Sequence, residues 1–173
     1  MSSFKKDYNL GKKGEEFVKN LLEKCGYKCE EVDSLNKSAY DIVATPQKGK
    51  KFTIECKYDS YSQISSNLAL EYFNPKTGKP SGIYVTTAQI YCYLLPDGIN
   101  ITAWIISTIR LREFIKTETP LKNLERVGDG NASILLYKLD HILPKFTRID
   151  NIPCDEVTQA IKRLLKEKGN KVI

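Results

Sequence analysis

The chain has 173 residues, 41% hydrophobic, 28% charged and 10% aromatic, with 27 Lys and Arg against 21 Asp and Glu for a formal charge of +6. This composition describes one globular domain, residues 1–173, that buries on the order of 70% of its unfolded surface without help from metals or disulfides, and it excludes general disorder. No run reaches the roughly 18 apolar residues that cross a bilayer, and the first residues lack the apolar core of a secretion signal, so a soluble cytoplasmic protein is expected.

Residues 9–25 read as an amphipathic helix, with Gly14, Phe17, Val18, Leu21, Leu22 and Cys25 at helical spacing and Gly26 as its stop. Short strands are predicted over 27–33 and 38–45, then a Pro46-Gln47-Lys48-Gly49 turn and a third strand over 50–58. That third strand has the cleanest alternation in the chain. Phe52, Ile54, Cys56 and Tyr58 share one face, predicted to enter the core, while Thr53, Glu55, Lys57 and Asp59 share the other, predicted to stay polar. Residues 67–73 read as a strand, or as a short helix capped by Ser66, and 74–82 as a basic Gly/Pro loop. Strands over 91–95 and 100–106 flank Pro96-Asp97-Gly98, a hairpin signal.

Ser107 reads as the cap of a helix ending near 116. A Gly128-Asp129-Gly130-Asn131 turn then leads to a strand over 133–139. The last predicted element is an amphipathic helix over 155–168 with a Val157, Ile161, Leu164, Leu165 stripe, which can pack on the core, touch DNA or mediate a dimer; packing is the default. The expected class is mixed α/β (α+β), with a core over about 9–106 and a C-terminal extension over 107–173.

The chemistry is narrowed by what is scarce. Cys25, Cys29, Cys56, Cys92 and Cys154 are odd in number and form no C-x-x-C, which predicts reduced thiols buried as small hydrophobes. With His141 as the only histidine, Cys/His zinc sites and His-activated nucleophiles are disfavoured. Catalysis would then rest on carboxylates, lysines and a hard metal ion. A pI near 9.0 suits a polyanionic partner as well as a plainly soluble surface.

Asp41 on the second strand, with Glu55 and Lys57 two residues apart on the third, forms Asp-x13-Glu-x-Lys across a hairpin-like pair. Two carboxylates so placed repel unless a cation lies between them. Mg²⁺ fits, since it takes oxygen ligands and is held through one or two carboxylates plus substrate phosphate. Lys57 could orient or deprotonate the attacking water or offset charge on the phosphate. A chain this rich in Lys is expected to contain acid-x-Lys triplets by chance, but Glu55-Cys56-Lys57 is its only one. The competing reading is a solvated strand face whose charges pair with neighbours.

Leu10-Gly11-Lys12-Lys13-Gly14-Glu15-Glu16-Phe17-Val18 through Gly26-Tyr27, then Tyr40-Asp41-Ile42-Val43, then Phe52-Thr53-Ile54-Glu55-Cys56-Lys57, resemble the PD-(D/E)XK nuclease superfamily. That superfamily includes Holliday junction resolvases, restriction enzymes and phage endonucleases. The resemblance covers residues 10–59 in the order helix, strand, strand, strand, with Tyr40 where the family name has proline. It implies a restriction endonuclease-like core, a mixed central sheet flanked by helices, and a Mg²⁺-dependent endodeoxyribonuclease for which Mn²⁺ can substitute, leaving 5'-phosphate and 3'-hydroxyl ends. Asp41 and Glu55 would bind the metal with the Cys56 carbonyl as a further ligand, Lys57 would assist the water, and Glu15 would be an additional acid.

Glu15 borders the apolar stripe, whereas Glu16 falls on the solvent face; a plain helix-surface glutamate remains the alternative for either. Runs near 67–72, 79–83, 86–88 and 128–133 resemble phage-type members. DNA is the expected partner, met by Lys12, Lys13, Lys51, Lys76 and Lys79 together with Lys48 and Lys50, with Tyr or Trp stacking on exposed bases. A homodimeric junction resolvase and a non-catalytic DNA-binding module with this fold are the competing functions. Glu71 is read as a surface acid or an extra site acid, Gln89 and Tyr93 as a coincidental Gln-x-x-x-Tyr, and Asp129 as turn chemistry.

Overall fold

A computed structural model describes residues 3–32, 39–127 and 130–167. Helix α1 (Ser3–Lys24) opens the fold. It begins earlier than the apolar period predicts, because residues 3–9 contain neither Pro nor Gly and extend the helix before its buried stripe starts. Val18 and Leu22 are each 1% exposed. The helix ends where Tyr27 N–H donates to Leu22 O (3.1 Å) and Gly26 adopts φ +82°, the left-handed closure that glycine permits.

Strands β1 (Lys28–Glu31), β2 (Ile42–Thr45) and β3 (Phe52–Tyr58) follow. Residues 33–38, at the ends of two predicted strands, lie outside the described residues. A single-turn helix α2 (Ser62–Ser65) precedes β4 (Asn67–Asn74), with Ser66 left-handed between them. The strand alternative for 67–73 is therefore the one adopted. β5 (Lys79–Pro80) and a 3₁₀ turn (Gly82–Tyr84) lead into β6 (Ile90–Asp97) and β7 (Asn100–Ser107).

The β6–β7 hairpin closes on the pair Asp97 and Asn100. Pro96 thus lies within β6 rather than in the turn, beyond Leu94, the last residue of β6 paired to β3, where a missing N–H costs no ladder bond on that side. Helix α3 (Thr108–Thr117) is capped by Ser107, whose side chain accepts from Arg110 N. β8 (Lys122–Val127), β9 (Ala132–Lys138), a short α4 (Leu139–Ile142), β10 (Thr147–Arg148) and α5 (Cys154–Leu165) complete the order. Asp129 and the residues after Glu167 lie outside the described residues.

Six strands form a mixed central sheet in the order β1-β2-β3-β6-β7-β10, in which only β3 and β6 run parallel; four more form a second sheet, β5-β4-β9-β8. β6 lies between β3 and β7 with Ile90 through Leu95 all buried, the continuous apolar run of a strand covered on both faces. One face of the central sheet packs Phe52, Ile54, Ile90, Cys92, Leu94 and Ile105 against Val18 and Leu22 of α1 and Val157, Ile161 and Leu164 of α5. The α5 stripe is thus spent on the core.

The other face packs Tyr91, Tyr93 and Ile106 against Leu68 and Leu70 of β4, Tyr137 of β9 and Leu111 and Phe114 of α3. This second layer corrects the expectation of a solvated polar face on β3: Thr53 is 1% and Asp59 8% exposed. Asp59 accepts from the backbone of Tyr61 and Ser62 and from the Tyr93 hydroxyl (3.0, 3.1 and 2.9 Å). Tyr93 therefore holds the start of α2, and Gln89, whose Oε1 accepts from Thr53 N (3.2 Å), ties β6 to β3. Both residues serve the fold.

The cysteines bring a second correction. Cys25 and Cys154 form a disulfide, Cα atoms 4.9 Å apart, while Cys29, Cys56 and Cys92 are free thiols. An odd count and scattered spacing hide such a pair, because only the common packing of α1 and α5 brings its members together. Among the described residues no helix is long and apolar enough to cross a membrane.

Candidate active site

The carboxylates gather where β2 begins, alongside the middle of β3. Asp41 immediately precedes β2, with its N–H donating to Ile54 O (2.9 Å) and its carbonyl accepting from Val32 N (2.8 Å), so its backbone is fastened to strands on both sides. Its Oδ2 accepts from Cys56 N (2.8 Å), which puts the carboxylate across the backbone that joins Glu55 to Lys57. Glu55 and Lys57 are half-buried on the same face of β3, in register with Tyr91 and Tyr93 of β6.

From α1, Glu15 is 8% exposed and its Oε2 accepts from Lys12 Nζ at 2.6 Å; Glu16 is exposed. Gly14 lies against β3, where a Cβ would stand 2.6 Å from Leu94 Cδ1 and 3.4 Å from Tyr58 Cβ. That close approach lets the next residue, Glu15, come near the strand.

The electrostatics follow from burying three acids within range of one another. Burial pushes the Glu55 carboxyl up to about 8 and the nearby Asp41 charge adds to it, against relief from Thr86 and Lys57. Burial likewise raises Asp41, opposed by the Cys56 N–H and by Lys12 and Lys57. Glu15 is raised by burial and by Asp41, and Lys12 opposes this. Lys12 is itself raised, chiefly by its bond to Glu15. An ionised acid cluster of this kind is relieved by a cation.

Asp41 and Glu55 are the pair best suited to hold one: oxygen donors on adjacent strands, strained toward the neutral form by burial. That donor set fits Mg²⁺, which is commonly held by one or two carboxylates and keeps several waters. Among the described residues no group of three or more His, Cys, Asp or Glu side chains is gathered closely enough to cage a metal alone. The Cys56 thiol is hydrogen-bonded to Cys92, and the Cys56 backbone N–H meets the Asp41 carboxylate.

Two residues at the site carry no signal in the local pattern. Thr86 is 3% exposed; its Oγ1 stands 2.7 Å from Ala39 O and 3.1 Å from Glu55 Oε2, and accepts from Ala88 N. One hydroxyl proton serves one oxygen at a time, so Thr86 donates to the Glu55 carboxylate when that acid is ionised and to Ala39 O when Glu55 is protonated. Arg112 of α3 grips the same segment, donating to Ile83 O (2.9 Å) and Thr86 O (2.6 Å). With Thr87 N–H on Ala39 O (3.0 Å), this chain holds both the residues leading to Asp41 and the Glu55 carboxyl. The side-chain contacts of Arg112 with this segment, and of Thr86 with Ala39 and Glu55, span 26 to 47 residues, beyond the reach of periodicity.

The predicted basic residues are scattered. Lys12 and Lys13 line a groove of about 270 Å³ with Glu16, Lys19 and Asn20 of α1 and Glu31 of β1, and Lys12 links that groove to Glu15. Lys51 is exposed just ahead of β3, at the opposite end of the strand from Lys57. Lys76 and Lys79 are exposed on the β4–β5 hairpin of the second sheet. Trp104 lies beneath Arg148, 5.8 Å from its guanidinium, and donates to Thr102 Oγ1. No protein-family model matches the chain, and neither the curated proteins nor the solved structures contain a match.

Proposed function

We propose that this protein is a divalent-metal-dependent endodeoxyribonuclease with a restriction endonuclease-like core. The observation that carries this reading is the convergence of Asp41 and Glu55, each raised by burial, with Lys57 beside them on β3. A bound Mg²⁺ would polarise the attacking water and offset the charge that builds on the phosphate.

The chain's own residues divide the remaining work. Asp41, tied to Cys56 N–H, keeps one donor in place on both sides of the reaction. Glu55 supplies the second donor once ionised and can hold a proton near neutral pH, since its carboxyl titrates at about 8. Lys57 stands beside both acids on β3 and can stabilise the charge that builds on the pentacoordinate phosphorus. Lys12 neutralises Glu15 and so limits the negative charge that an incoming phosphodiester meets.

A non-catalytic DNA-binding role is the second reading, favoured by the Lys12–Glu15 ion pair, which compensates one of the three acids without metal. The two separate in a cleavage panel of linear, circular, single-stranded and branched DNA with Mg²⁺ or Mn²⁺. Cutting by wild type, reduced at least about 100-fold in Glu55→Ala and Lys57→Ala while DNA binding in Ca²⁺ survives, is the expected result. DNA left uncut in every form, or full cutting by either variant, sinks the nuclease assignment or its site.

A further inference from the structure

Three aromatic rings meet at the end of β4. The ring centroids of Tyr72 and Phe73 are 6.4 Å apart, and Tyr84 meets Tyr72 edge-on at 6.4 Å. Tyr84 is 41% and its neighbour Val85 50% exposed, so the cluster is open to solvent on one side.

The cluster is also firmly built. A register shift between Glu71 and Phe73 bulges β4 at Tyr72, a device that re-aims side chains. The Tyr72 hydroxyl donates to Asn123 Oδ1 (3.0 Å). The 3₁₀ turn carrying Tyr84 is pressed onto β4 through Gly82, φ +50°, where a Cβ would stand 2.3 Å from Glu71 O.

Two links join this cluster to the carboxylates. Thr86, two residues past Tyr84, contacts Glu55. Burial raises the Tyr91 phenol, and Glu55 together with Glu71, beside Tyr72, adds to it. The same hairpin carries the exposed Lys76 and Lys79 on a turn ordered by the Asn74 side chain, which accepts from Lys76 N and Thr77 N (3.0 and 3.1 Å).

We propose that the β4–β5 hairpin and the Gly82–Tyr84 turn form a docking arm for unpaired nucleotides, with bases stacking on Tyr84 and Phe73 and flanking phosphates meeting Lys76 and Lys79. The substrate class is then single-stranded or branched DNA. A continuous duplex offers proteins its phosphates and base edges while its base faces stay stacked; exposed aromatic rings gain a partner only where bases are unpaired. As a statement about substrate, this rests on the nuclease reading above.

The test is fluorescence anisotropy in EDTA, with a labelled single strand, a Y-shaped fork and a blunt duplex of one sequence. Wild type binds the strand and fork more tightly than the duplex. Tyr84→Ala loses about tenfold on strand and fork and nothing on the duplex, and Tyr84→Phe restores binding. Tyr84 is exposed enough for both variants to keep the wild-type melting temperature. Lys76→Ala with Lys79→Ala lowers the log-log salt slope by about 1 to 2 on every form. Equal losses on strand and duplex, no loss in Tyr84→Ala, or no DNA binding by wild type overturns the arm. Selective fork binding without cleavage in Mg²⁺ keeps the arm and removes the nuclease, whereas duplex cleavage indifferent to Tyr84→Ala does the reverse.

Discussion

Glu55 concentrates the tension of the site in one side chain. Its carboxyl is raised from an ordinary 4.5 to about 8, so in the absence of a cation the folded protein favours the protonated form. The unfolded chain ionises first as pH rises, binding fewer protons than the native state between those two values, and stability falls across that interval and levels off above it. Glu15 and Asp41 are raised as well, and they act in the same sense. Glu55→Gln keeps a partner for Thr86 and has no proton to lose. In metal-free buffer, urea unfolding of this variant is expected to show a shallower fall from pH 5 to 8 and a gain on the order of 2 kcal/mol over wild type at pH 8. An identical pH dependence in the two proteins excludes the raised carboxyl.

The segment from Gly82 to Gln89 is the element that sets the geometry around Glu55, and it is fastened mostly from outside itself. Arg112 donates to two of its carbonyls from α3, a fork that lysine cannot reproduce. Thr86 relays that hold to Ala39 and Glu55. Thr86→Val removes the hydroxyl that favours ionisation of Glu55, so an NMR titration of the side-chain carboxyl is expected to move further above its wild-type value, with Thr86→Ser restoring it. Arg112→Lys is expected to cost about 1–2 kcal/mol of stability through the lost carbonyl bonds. An unchanged Glu55 titration in Thr86→Val would leave the threonine with a purely structural part.

Across the molecule, the two helices that cover one face of the central sheet are joined by Cys25 and Cys154, separated by 129 positions. A loop of that size loses much of its entropy in the unfolded chain when closed, and the bond is expected to contribute about 3–5 kcal/mol. Cys154→Ser should melt well below oxidised wild type, and dithiothreitol should lower wild type to the level of the variant while leaving the variant unmoved. Coincident melting in all conditions would mean that the bond adds nothing to the packing of α1 and α5.

Amino-acid order alone was enough for α1 and its glycine stop, the existence of β3, the β6–β7 hairpin, the Ser107 cap and the stripe of α5. Each depends on neighbours within a few residues, where spacing, caps and turn chemistry act directly. It also separated buried Glu15 from exposed Glu16, since one borders the apolar stripe and the other does not. The polar face of β3 went unread as an interior because its cover, the second sheet, is assembled from strands far along the chain, with β4 pairing to β9. Thr86, Arg112 and the disulfide share that origin: their partners lie tens of residues away, and only folding brings them within bonding distance.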